Sequence, residues 1–106
     1  MKLKKKILFV CLGNICRSPS AEAVFKGQTK KNGISEDFII DSAGTSNWHV
    51  GEKSDPRMQK HAIKRGYSLD SISRQFNPDS DFDRFDLIIG MDDNNIHALQ
   101  QMARND

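Results

Sequence analysis

The chain has 106 residues and a mass of 12.0 kDa, the length of one domain. Apolar residues make up 37% of it, enough for a modest core and too many for a disordered chain, while the longest apolar run, Ile7 to Leu12, is far too short to span a membrane. The net charge of +2 is not that of a nucleic-acid binder, but it is unevenly spread: residues 1–35 carry a balance of +7 and residues 76–106 one of −5.

The start of the chain imitates a secretory leader, with Lys2, Lys4, Lys5 and Lys6 ahead of an apolar run. Gly13 and Asn14 cut that run short, and no small-residue cleavage pattern follows. Two cysteines cannot build a disulfide scaffold, so the expectation is a cytoplasmic chain with no membrane contact. The four lysines are expected to solvate the mouth of the first strand. Aromatic residues are too sparse around them to stack bases, so no nucleic-acid partner is expected.

Ile7 to Val10 predicts a strand buried on both faces, ending in Cys11-Leu12-Gly13-Asn14. Ser18-Pro19 then reads as an N-cap followed by proline at the first helical position. Ala21, Val24, Phe25 and Gln28 mark the inward face of that helix, and Asn32-Gly33 stops it. Phe38 to Ile40 is a short second strand, closed by Asp41-Ser42-Ala43-Gly44, with a polar loop through Gly51. Asp55-Pro56 repeats the cap-then-proline start, Met58, Ala62 and Ile63 give the apolar face, and Gly66 ends the helix. Ser68 to Phe76 fits a loosely packed connection that Pro78 breaks. Phe85 to Met91 is the third strand. Asp92 or Asp93 caps a last helix with Ile96, Leu99 and Ala103 inward.

Alternating strands and helices predict an α/β fold with a parallel sheet, and ligands bind such sheets beyond the carboxyl ends of the strands. Three loops are thereby singled out: 11–18, 42–54 and 91–94. A doubly wound sheet usually has about five strands. Here there is room for roughly three βα units of about 30 residues each.

The first loop carries the chemistry. Cys11-Leu12-Gly13-Asn14-Ile15-Cys16-Arg17-Ser18-Pro19 leaves a buried strand and enters a helix, whose N-terminus offers unpaired N–H groups and a positive dipole end. A short turn with Gly13 can aim successive N–H groups inward as an anion nest. Arg17 adds a planar fork for two phosphate oxygens. The same groups would stabilise a thiolate at Cys11, on the floor of the nest, and place it for attack on phosphorus. The cysteines and His49, His61 and His97 lack the spacing of a metal site, so neither metal nor cofactor is expected.

Val10 through Pro19 resembles the signature of the low molecular weight protein tyrosine phosphatases. Asp41-Ser-Ala-Gly-Thr45, the loop from Trp48 to Gly51, Asp55-Pro-Arg57, Ser73-Arg-Gln75 and Met91-Asp92 resemble the same family in order, so residues 1–106 are expected to form a domain of that kind. The resemblance implies a three-layer, flavodoxin-like sandwich. It implies Cys11 as a nucleophile that forms a phosphocysteine, and Arg17 as the group that grips the phosphoryl oxygens. Backbone N–H groups of Leu12, Gly13, Asn14, Ile15, Cys16 and Arg17 would complete the cradle. Ser18 would hydrogen-bond the thiolate, Asn14 and Ser42 would hold the loop in shape, and Trp48 would stack on the substrate ring at the rim. The partners implied are phosphotyrosine proteins or small aryl phosphates, with inorganic phosphate or a similar oxyanion in the cradle.

The family's general acid is an Asp before Pro in a loop past the last helix seen here. The residues at hand stop at Asp106, so the expectation is a sheet truncated after the third strand and its helix, no general acid, and impaired phosphotyrosine turnover. Asp55-Pro56 reads as a helix cap, and so do Asp92 and Asp93. An arsenate reductase on the same scaffold and a non-catalytic phosphate-binding module stay open as alternatives. Cys16 matches a second loop cysteine that, in many members, forms a reversible disulfide with the nucleophile. Mild peroxide should therefore give a species that dithiothreitol reduces. An intact mass showing only a sulfonic adduct would rule the bridge out.

Overall fold

In the computed structural model, which describes residues 3–103, strand β1 (Lys5–Cys11) is the centre of a parallel sheet. Strand β2 (Phe38–Gly44) pairs along one side of it and β3 (Leu87–Gly90) along the other, giving the order β2-β1-β3. A central strand is covered on both faces, and β1 is apolar on both. Leu8 and Val10 point into a core with Ala43, Phe76, Phe85 and Leu99. Ile7 and Phe9 point the other way, with Ile40, Phe25 and Ile89. Helix α1 (Arg17–Lys31) covers the second face and α4 (Asp93–Met102) the first. The layers are helix, sheet, helix, and the strand order is that of the flavodoxin-like folds.

The elements differ from expectation at their ends. Strand β2 runs through Asp41-Ser42-Ala43-Gly44, which compose like a turn but pair with Leu8 to Cys11. Helix α1 starts at Arg17, with Cys16 as N-cap and no side-chain cap, so Ser18 is inside the first turn rather than capping it. Ala21 and Phe25 of α1 pack on the sheet as expected, Ser18, Glu22, Ala23 and Thr29 are buried as well, while Val24 is 41% exposed and Gln28 lies outside. Strand β3 is shorter than predicted, and Phe85 is buried just before it. A one-turn helix α3 (Asp81–Arg84), not anticipated, fills the gap after Pro78.

Other starts hold. Asp55 caps α2 (Pro56–Lys64) by accepting from Arg57 N, and Asp92 caps α4 by accepting from Asn95 N. Ile63 was expected inward yet is 70% exposed, while Met58 and Ala62 are half-buried. Ile96 is likewise more exposed than expected, at 41%, and Leu99 is buried. No helix of the described residues is long and apolar enough to cross a membrane.

The connection from Ser68 to Pro78 is irregular but firmly held. Gly44 N donates to Arg74 O and Phe76 N to Gly44 O, which extends the edge of β2. Asp81 is fully buried. It accepts from Arg74 Nη1 at 2.9 Å, from Arg74 Nη2 at 3.3 Å and from Asn77 N at 2.8 Å. Arg74 Nε also donates to Asp41 Oδ2 at 3.1 Å. Removing one partner of a buried ion pair leaves the other uncompensated. Asp81→Ala is expected to cost about 2–4 kcal/mol in urea unfolding, somewhat under the full range for a buried pair because Arg74 is partly solvated.

Candidate active site

The three loops singled out in the sequence meet at the carboxyl ends of the strands. The polypeptide from Cys11 to Cys16 forms the floor, and its carbonyls are turned outward onto the surrounding segments. Cys11 O accepts from Thr45 N at 2.9 Å, and Leu12 O from Ser46 N at 2.9 Å. Gly13 O accepts from Ser73 Oγ, Ile15 O from Asp55 N, and Cys16 O from both Ser20 N and Ser20 Oγ. Asn14 N donates to Cys11 Sγ at 3.2 Å. The N–H groups of Leu12, Gly13, Ile15 and Cys16 have no hydrogen-bond partner among the described residues. With these carbonyls taken up by surrounding segments, the unpaired N–H groups lie beside Cys11 at the start of a helix, a setting that suits an oxyanion.

Asn14 produces the inversion. It is the one non-glycine at positive φ among the described residues, at 56°, and it is 1% exposed. Its side chain is fixed at both ends. Arg74 N donates to Asn14 Oδ1 at 3.0 Å, while Asn14 Nδ2 donates to Ser18 Oγ at 2.8 Å and Ser42 Oγ at 2.9 Å. Gly44 permits this crowding: a Cβ there would lie 2.8 Å from Leu12 O.

Cys11 is buried, 3% exposed, with Ser18 Oγ at 3.0 Å from its sulfur. Arg17 stands at the first position of α1, and Nη1 donates to Asp92 Oδ2 at 2.6 Å. That hydrogen bond raises Arg17 further and holds Asp92, also bonded by Asn95 N, below the ordinary carboxylate range. Asp55 too is held low, first by the Arg57 N–H that it accepts. Trp48 is 69% exposed, in a loop tied to the cradle through Thr45 and Ser46. Ser42 is buried and its Oγ accepts from Asn14 Nδ2 at 2.9 Å.

Several participants escaped the sequence reading. His49, given no role there, packs on Gly13 and pairs with Glu52 at 3.0 Å. Ser73 and Arg74 brace the loop from outside, and Glu22 lies behind Ser42. A buried glutamate breaks the helical hydrophobic pattern, so periodicity hides it. The Ser73-Arg74-Gln75 stretch, quoted only for resemblance, was the available signal for the brace.

Residues 6–106 match the family model described as low molecular weight phosphotyrosine protein phosphatase. The low molecular weight protein-tyrosine-phosphatase of Streptomyces coelicolor is 45% identical over 98 residues, 92% of this chain and 59% of that relative. A crystal structure of a protein tyrosine phosphatase from Entamoeba histolytica, a product state mimic, superposes with a TM-score of 0.93 at 48% identity, covering 96% of this chain and 65% of that one. The crystal structure of YfkJ from Bacillus subtilis gives a TM-score of 0.90 at 44% identity, covering 94% and 63%. The chain thus spans about three-fifths of the length of the curated relatives it matches.

Cys16 differs from Cys11 in its surroundings. Partial burial raises its thiol, and the Asp55 carboxylate, whose Oδ2 lies 3.7 Å from Sγ, raises it further. The neutral thiol is therefore favoured in the folded state, most fully below the ordinary thiol range, and that preference fades as pH rises through the raised value. In Cys11→Ser, where Cys16 is the sole cysteine, iodoacetamide should react more slowly at pH 8 than with a free cysteine peptide. The gap should narrow as pH rises through the raised value. Equal rates at pH 8 would contradict this environment.

Proposed function

The chain belongs to the low molecular weight phosphotyrosine protein phosphatase family, and we propose that residues 1–106 act as a phosphatase unit for aryl phosphomonoesters, with phosphotyrosine proteins as the substrate class and Cys11 as nucleophile. One observation carries the reading. Four unpaired N–H groups, from Leu12, Gly13, Ile15 and Cys16, ring a buried cysteine at a helix start.

The phosphoryl oxygens take the N–H groups of the cradle. Arg17 exchanges Asp92 for two of these oxygens and so adds charge where the transition state gains it. The Cys11 thiolate attacks phosphorus, an S–P bond forms, and the P–O bond to the phenol breaks. Ser18 donates to Sγ, which stabilises the thiolate before attack and as the leaving group afterwards. Water then cleaves the S–P bond and releases inorganic phosphate. Trp48 stands in a loop joined to the cradle, exposed enough to meet an aromatic ring. Asp55 and Asp92 are both engaged as helix caps, Asp55 by Arg57 N and Asp92 by Asn95 N, and neither is assigned the role of bringing a proton to the leaving phenolate. Through these residues alone, esters of acidic phenols are the better substrates. The arsenate reductase alternative is not favoured, because the Streptomyces coelicolor relative and the Entamoeba histolytica structure that the chain matches are tyrosine phosphatases.

The test uses p-nitrophenyl phosphate for turnover and inorganic phosphate for binding. Cys11→Ser should lower turnover by about 10³-fold or more and leave phosphate affinity within a few-fold. Arg17→Ala should weaken both. Phosphate binding with no turnover by the unaltered chain would instead favour the non-catalytic module. Turnover undiminished in Cys11→Ser would overturn the assignment.

A further inference from the structure

The hydrogen bonds behind Cys11 do not end at Ser42. Ser42 Oγ lies 2.5 Å from Glu22 Oε1, and the other oxygen, Oε2, lies 2.5 Å from Lys26 Nζ one helical turn on. Glu22 is 5% exposed, an unusual place for a carboxylate unless it is paired. The Lys26 side chain is 52% exposed, so its ammonium reaches in from solvent.

We propose that Glu22, clamped by Lys26, is a positioning residue for Cys11, because it fixes the direction in which every proton of this buried chain points. The inference rests on Cys11 being the reactive thiol. A carboxylate can only accept, so the Ser42 proton goes to Glu22. Ser42 Oγ is then an acceptor for Asn14 Nδ2. At the other end, Arg74 N–H occupies Asn14 Oδ1. With both ends fixed, the Asn14 amide has one orientation, and Nδ2 must donate to Ser18 as well. Ser18 therefore spends its own proton elsewhere. Cys11 Sγ at 3.0 Å is nearer than the alternative acceptor, Ala43 O at 3.4 Å.

The reverse orientation shows what Glu22 prevents. Were the amide turned over, Oδ1 would draw the protons of both serines. Ser18 would then donate to Asn14 instead of to sulfur. That state strands Glu22 Oε1 without a donor and sets Nδ2 against Arg74 N–H. Lys26 matters because its ammonium holds Oε2 and so keeps Oε1 turned to Ser42. The other charged groups near the pair are Asp70, which with Ser68 and Ser71 borders the same small cavity, and Asp41, already engaged by Arg74.

The test reads the thiol directly and needs no turnover. Cys11 is alkylated with iodoacetamide at pH 6.0 and pH 9.5, and peptide mass spectrometry assigns the adduct to Cys11. Glu22→Gln keeps the shape and removes the obligation to accept. Lys26→Met removes the cation, and Lys26→Arg restores it. Glu22→Gln and Lys26→Met should slow alkylation about fivefold at pH 6.0, the worth of roughly one hydrogen bond to the thiolate, and change it less than about twofold at pH 9.5. Lys26→Arg should match the unaltered chain at both. Equal slowing at both pH values would mean general loosening and would overturn the proposal, as would unchanged rates at pH 6.0. If Lys26→Met fails to fold, Glu22→Gln carries the test. Failure of the phosphatase assignment would show in p-nitrophenyl phosphate turnover and leave this alkylation result untouched.

Discussion

A single backbone inversion at Asn14 sets the shape of the loop that holds Cys11. A non-glycine at φ 56° costs about 1–2 kcal/mol. Asparagine is among the few residues that tolerate the region, and here its amide makes three hydrogen bonds, two of them buried, each worth about 1 kcal/mol net. The inversion is therefore affordable only with Ser18, Ser42 and Arg74 in place. Once made, it turns the carbonyls of the loop away from the N–H groups around it. A loop whose carbonyls faced inward would repel an oxyanion; the opposite arrangement is what the proposed function requires.

Every outward carbonyl then needs a donor, and the rest of the fold supplies them. Thr45 and Ser46 come from the end of β2, Ser73 from the irregular connection, Asp55 from the cap of α2 and Ser20 from α1. The cradle is thus a meeting point of four chain segments. Arg74 links it to deeper structure: its backbone holds Asn14, while its guanidinium reaches Asp41 on β2 and the fully buried Asp81 at α3. A shift in the core after Pro78 would be felt at the anion site through one residue.

The sequence was most legible where local chemistry and burial agree. β1 announces itself as an unbroken apolar run because it is covered on both faces. Asp55-Pro56 and Asp92 declare helix starts because their carboxylates cap in the ordinary way. Legibility failed where tertiary contacts override composition. Asp41-Ser42-Ala43-Gly44 looks like a turn, yet β1 offers it a full set of partners and it is strand. Ser18-Pro19 looks like a cap, yet the helix begins earlier and the Ser18 hydroxyl is committed to Cys11 and Asn14. Glu22, Arg74 and Asp81 were invisible as a group, since buried charges contradict the pattern used to find a core. The motif that carried the family resemblance exposed the floor of the site but not what holds it.

The Arg17–Asp92 pair shows how such a site stays ready without being closed. Both side chains are well exposed, at 49% and 38%, so solvent and salt weaken their attraction. Asp92 does not depend on Arg17 for its place, because its other oxygen caps α4 through Asn95 N. Arg17 can therefore leave without unravelling the helix. Under the proposed function, a phosphoryl dianion would offer the guanidinium two oxygens in a plane where Asp92 offers one. In the structure Asp92 keeps the guanidinium paired between the N-termini of α1 and α4.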